Sequence, residues 1–225
     1  MPVCRTRRFL PLALLPVFCL LTVAVALRPA TAGGKPFGPA AVWSLPESAW
    51  RACLESTPPA ADCLSRLMGE TKASPEALAV NRRLDGAAFM SAFHAMGRVD
   101  LATMTFPLRA NTNQVLFLVN GSPELVSTEL PEAGVTIEAD PAYAGLKQAF
   151  PEMALWTTNA DFLRMEHLPD GGQGFVFAYP LLNGCHACPL AGHALIALDF
   201  GPDGVYRGPR LLRLEPVRPE KNGDN

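Results

Sequence analysis

The chain has 225 residues, 19 lysines and arginines against 21 acids for a formal charge of −2, and 49% apolar residues. That length and composition suit a globular chain with a substantial core and exclude a disordered or fibrous one. The slight negative balance excludes a broad basic surface of the kind that holds nucleic acid.

Arg5, Arg7 and Arg8 precede an uncharged run from Phe9 to Leu27, and Ala30-Thr31-Ala32 comes after it. A basic start, an apolar middle and a small-x-small end predict a cleavable export signal over residues 1–32. The apolar run is barely long enough to span a bilayer. Pro11 and Pro16 within it favour removal, so no stable membrane insertion is expected afterwards. Cleavage removes Arg5, Arg7, Arg8 and Arg28 and no acid. The remainder then carries 15 basic against 21 acidic residues, net −6, which suits a basic partner. The expected location is periplasmic or secreted. In such an oxidising compartment Cys53, Cys63, Cys185 and Cys188 read as disulfides. Of the three possible pairings, the sequence-local ones, Cys53–Cys63 and Cys185–Cys188, are favoured.

Residues 33–46, rich in glycine and proline, predict a flexible leader. Glu47–Ser56 and Ala60–Thr71 predict two short helices broken at Pro58-Pro59, clamped by Cys53–Cys63. Ser74-Pro75-Glu76 is a strong helix start, with a capping hydroxyl, proline at the first position and then an acid. Ala77, Val80 and Leu84 continue that helix to Asp85-Gly86. Ala87–Met96 predicts a further helix, with Phe89, Phe93 and Met96 on one face and Gly97 as its stop.

Strands come next. Val99–Phe106 and Gln114–Val119 are rich in β-branched and aromatic residues. Asn120-Gly121 signals a hairpin turn, and Pro123 confines the next strand to an edge. Pro141–Phe150 predicts a short helix. Asp161–Leu168, Gly174–Leu181, Ala194–Phe200 and Val205–Leu214 predict an antiparallel meander, with Phe175, Phe177 and Tyr179 on one face. The predicted class is α+β, with a helical segment followed by an antiparallel meander. One domain is expected over 47–214, helical over 47–97 and sheet over 98–214, with a disordered tail over 215–225.

Chemistry concentrates in Asn183-Gly184-Cys185-His186-Ala187-Cys188-Pro189, between two of those strands, with His193 five residues beyond Cys188. A Cys-x-x-Cys with a histidine inside it lowers a thiolate pKa in redox proteins, but those place it at a helix N-terminus, and only 37 residues remain after Cys188. A metal site using Cys185, Cys188 and His193 has the right ligand types yet lacks a second pair at finger spacing. A small disulfide that merely pins a turn is the plain reading. A displayed recognition loop is the fourth: a bridge across a strand connection reduces the entropy lost on docking, and histidine changes charge readily near neutral pH. Elsewhere Ser122, Ser127, His94 and His167 form no nucleophile motif. Glu138 and Asp140 read as a solvated strand face, and Arg109–Asn113 as a polar turn.

Residues 141–214 resemble the Ivy-type family of periplasmic lysozyme inhibitors. The likeness lies in Leu146–Phe150 followed by Leu155-Trp156, then the tyrosine-bearing strand Phe177-Ala178-Tyr179. It continues through the cysteine-bounded loop Cys185-His186-Ala187-Cys188 to the apolar strand and turn from Ala194 to Gly204. The resemblance implies that the loop enters the cleft of a lysozyme-like enzyme, with His186 meeting its catalytic carboxylates and Cys185 and Cys188 bracing it. The family's loop has four residues between its cysteines; this one has two. The whole chain also resembles a group of secreted bacterial proteins with the same Asn-Gly-Cys-His-Ala-Cys stretch, which implies export. The expectation is a non-catalytic binding protein without a cofactor. A thiol-disulfide or metal-handling protein is the alternative.

Overall fold

A computed structural model describes residues 35–55, 60–129 and 135–217. The export signal expected over residues 1–32 therefore lies outside the described residues, as does the tail beyond Val217. Among the described residues no helix is long and apolar enough to cross a membrane.

The structure has a few short helices and two antiparallel sheets, so it is mostly β. Helices α1 (Glu47–Leu54), α2 (Ala60–Glu70) and α3 (Pro75–Arg83) come first. α3 starts as its sequence dictates: the Ser74 hydroxyl accepts the Ala77 N–H at 2.9 Å, and Pro75 occupies the first turn. Cys63, buried on α2, is disulfide-bonded. The expected pairing with Cys53 lies outside the described side chains.

The first sheet is a simple meander, β1 (Phe89–His94), β2 (Asp100–Thr105), β3 (Gln114–Val119) and β4 (Leu125–Ser127), each paired with its sequence neighbour. β1 corrects the helix expected over Ala87–Met96. Phe89 and Phe93 fit a period of two as well as a helical face, and pairing with β2 settles the choice. The consecutive Phe89 and Met90 are both buried because each face of β1 is covered, Phe89 packing with Trp50 and Leu64 and Met90 with Phe37 and Val80. The helical part thus ends at Arg83, short of the expected 97.

The stretch 35–46 differs from the loose leader expected. Phe37 and Ala41 are buried, and the Phe37 N–H and C=O are held by the Asn120 side chain at 2.9 Å each. Trp43 N–H donates to Met90 C=O. An aromatic residue followed by small ones can cover a sheet face even where proline and glycine forbid regular structure. Asp100, fully buried, completes the anchorage. Its carboxylate accepts from Lys35 Nζ at 2.6 Å, Asn120 Nδ2 at 2.7 Å and the Met96 N–H at 2.8 Å.

Beyond helix α4 (Tyr143–Ala149) the second sheet contains β5 (Met153–Leu155), β6 (Asp161–His167), β7 (Gln173–Asn183), β8 (Leu190–Phe200) and β9 (Tyr206–Pro216). Its order is β5-β7-β8-β9, with β6 also on β7. The eleven-residue β7 is long enough to carry both short strands, β5 on its last three residues and β6 on its first half. The antiparallel meander expected over Asp161–Leu214 is present as β6-β7-β8-β9, the earlier strands form a separate sheet, and β9 continues two residues past the expected end at Leu214.

The sheets face each other. Leu101, Leu118 and Val126 of the first pack with Phe175, Phe177, Tyr179, Ile196 and Leu198 of the second. The opposite face of the first sheet, including Met104, Val115 and Phe117, packs with Phe37 and Val80 of α3. β3 is thus covered on both faces, which is why its sequence is an unbroken apolar run after Gln114 rather than an alternation. Polar ties also cross between the sheets, among them Tyr179 Oη, which donates to Thr128 C=O at 2.7 Å, and Gln173 Oε1, which accepts the Val99 N–H at 2.8 Å.

Candidate functional site

β7 and β8 form the longest ladder in the fold, paired from Gln173↔Phe200 to Leu182↔Leu190. The cysteine loop closes that hairpin. Asn183 N–H donates to Pro189 C=O at 3.0 Å, and inside this ring Cys188 N–H donates to Cys185 C=O at 3.0 Å, making a four-residue turn. Cys185 and Cys188 are joined in a disulfide, with their Cα atoms 4.9 Å apart. Gly184 has φ +101°, and a Cβ there would lie 2.6 Å from Glu152 Oε2, so the position demands glycine. Asn183 Oδ1 accepts the Glu152 N–H at 2.9 Å and ties the loop base to the approach to β5.

Cys185, His186 and Ala187 are exposed, and Cys188 is half-buried. The imidazole is not free to sweep through solvent. Its ring lies 5.2 Å from the Trp156 ring, tilted by 51°, and Nε2 is 3.3 Å from Asn159 Nδ2. With the Asn159 amide as donor, Nε2 accepts and the ring proton of neutral His186 lies on Nδ1. Asn159 holds this place from a left-handed backbone, φ +59°, a conformation asparagine tolerates better than most residues. The loop is thus covalently closed, hydrogen-bonded at its base and propped at its tip.

Trp156 also lines a cleft of about 530 Å³ between α4 and β5, together with Glu138, Tyr143, Lys147, Met153 and Leu155. Its indole Nε1–H is buried with no acceptor among the described residues. Asp140 is committed elsewhere: its carboxylate accepts the Ala142 N–H at 2.8 Å and the Leu214 N–H at 2.9 Å. Glu138 lies in a short 3-10 turn, not on the strand face expected for the pair.

His193 sits half-buried in β8 opposite Pro180 and Glu215. Among the described residues no group of three His, Cys, Asp or Glu side chains is placed to hold a metal. Nor does a helix begin at the loop, so the thiolate-stabilising field of redox dithiols is missing there. No local pattern in the sequence marks Trp156, Asn159 and Glu152 as neighbours of the loop. The one signal is an isolated tryptophan, Trp156, ending a short apolar run. No protein-family model, curated protein or solved structure matches the chain.

Proposed function

We propose that this is an exported, non-catalytic binding protein that presents the Cys185–Cys188 loop to another protein, with a lysozyme-like enzyme as its target. We also assign it to the α+β class, its helical N-terminal segment serving as a cover for the first sheet. The observation that carries the functional reading is the exposed His186 on a closed loop, supported from behind by Trp156 and Asn159. A tip already ordered before docking loses less entropy on binding. The net −6 of the chain without residues 1–32 suits a basic partner, and the family likeness supplies the enzyme class. His186 is the residue assigned to the partner's carboxylates, with Cys185, Ala187 and Cys188 shaping the turn around it.

The test is lysozyme turnover of cell-wall substrate with and without the protein. Inhibition by the unmutated chain and its loss in His186→Ala are expected. No inhibition by the unmutated chain removes the inhibitor reading. Thiol titration separates the alternative class: free thiols appear only on denaturation with reductant if the loop is a brace, whereas rapid reduction by a mild dithiol favours thiol-disulfide exchange.

A further inference from the structure

The cleft beside Trp156 has features that loop presentation does not use. Among the described residues β5 is an edge strand, paired on one side only. In an antiparallel pair, successive residues turn their N–H and C=O alternately toward and away from the partner. Trp156 N–H reaches Pro180 C=O at 2.8 Å, so the register turns Ala154 toward β7 and turns Met153 and Leu155 outward. The outward groups of Met153 are occupied: its N–H donates to Phe150 C=O, and its C=O accepts from Lys147 Nζ, both at 2.9 Å. Lys147 therefore approaches from the same side, and the cleft lies along that edge, between α4 and β5. Among the described residues, Leu155 N–H and C=O have no protein partner. Among the described residues nothing covers this edge.

Two charges line the same cleft. Glu138 is exposed and Lys147 half-buried, and among the described residues neither forms an ion pair. A carboxylate and an ammonium that do not neutralise each other, above a strip of unpaired backbone with Ile137 and Leu155 as apolar walls, form a complement to one kind of ligand. We infer that the cleft binds a short extended peptide with free termini. Its central residue exchanges both main-chain hydrogen bonds with Leu155, its carboxylate turns to Lys147 and its ammonium to Glu138. Strand addition of this kind draws affinity from the main chain and selectivity from the walls. The volume of about 530 Å³ is within the range of small-ligand sites. The three residues of β5 allow a partner strand of about three residues, roughly 10 Å long. This site adjoins the loop through Trp156, which lines the cleft and also touches His186, but its peptide chemistry does not depend on the lysozyme reading.

The test is amide NMR of the isotope-labelled chain titrated with trialanine and trileucine carrying free termini. Saturable shifts at Leu155 N–H and at Trp156 Nε1–H are expected. N-methylation of the central amide removes one ladder bond and is expected to weaken binding about tenfold. Glu138→Gln, at an exposed side chain without an ion pair, should weaken the free peptide several-fold and leave an N-acetylated peptide unchanged. Absence of saturation by about 10 mM peptide, tenfold above the Kd of about 1 mM of a weak ligand, overturns the inference. So does equal affinity of the N-methylated peptide, or a set of shifts that bypasses Leu155. None of these results bears on lysozyme inhibition, so the two readings fail separately.

Discussion

Replacing Tyr179 with phenylalanine tests whether the two sheets are held together as described. The ring is fully buried, so the change removes one oxygen and leaves the packing shape intact. It deletes the donor to Thr128 C=O at 2.7 Å, in a residue only 2% exposed. Stranding a buried carbonyl costs about 1–3 kcal/mol. For a domain of this size each kcal/mol lowers Tm by about 2–4 °C, so a drop of about 4–8 °C corresponds to the middle of that range. The pH dependence gives an independent check. Burial, the larger cause, and the nearby Tyr206 push the Tyr179 phenol well above its ordinary value of 10.0. The folded state then keeps a proton that the unfolded chain releases above about pH 10. The unfolded state binds fewer protons there, so stability is intact below that pH and falls as pH rises, by up to about 1.4 kcal/mol per pH unit. Tyr206, raised by burial and then by Asp199, adds in the same direction. Thermal unfolding followed by near-ultraviolet circular dichroism from pH 7 to 11 measures both effects. A Tyr179→Phe variant with unchanged Tm at pH 7, or with the full alkaline slope retained, would refute the reasoning.

Three further changes probe the loop and the N-terminal anchorage. Converting Cys185 and Cys188 together to serine should cost about 2 kcal/mol on loop entropy, because the closed ring is short; denaturant midpoints measure it, and a loss above about 4 kcal/mol would mean the bridge does more than restrain the turn. Gly184→Ala places a methyl against Glu152 at a backbone conformation that favours glycine, and a loss of about 1–3 kcal/mol is expected by the same midpoints. Asp100→Ala leaves Lys35, Asn120 and the Met96 N–H without their shared buried acceptor. A loss of about 3–5 kcal/mol is expected, together with proteolysis within residues 35–46 before global unfolding.

The parts of this fold that show in the sequence are those whose partners are close in the chain. β7 and β8 are apolar and buried along most of their length, with the larger side chains of one face turned to the opposing sheet, and turn residues set their ends. α3 carries its own cap. The errors lie where a distant partner decides the outcome. Ala87–Met96 reads as a helix until β2 supplies ladder bonds, and Phe37 reads as part of a leader until Asn120, 83 residues away, takes both of its main-chain groups.

The candidate site divides in the same way, and the division bears on how a loop with only two residues between its cysteines could serve for recognition. The disulfide and the turn are local, so residues 183–189 predict them. What stiffens the tip is not local. Trp156 and Asn159 reach His186 only because β5 pairs with the last three residues of β7, which brings the chain leaving β5 alongside the loop. A longer loop would place its histidine farther out and lose both contacts. The short loop keeps His186 against an aromatic wall, presenting one edge of the imidazole from a surface that continues into the cleft. Under the proposed function, this geometry makes recognition depend on the prop as much as on the bridge. Trp156→Ala, which leaves the disulfide intact, is therefore expected to weaken partner binding nearly as much as His186→Ala. If a titration with lysozyme showed Trp156→Ala binding like the unmutated chain, the bridge alone would be sufficient and the prop would have no part in recognition.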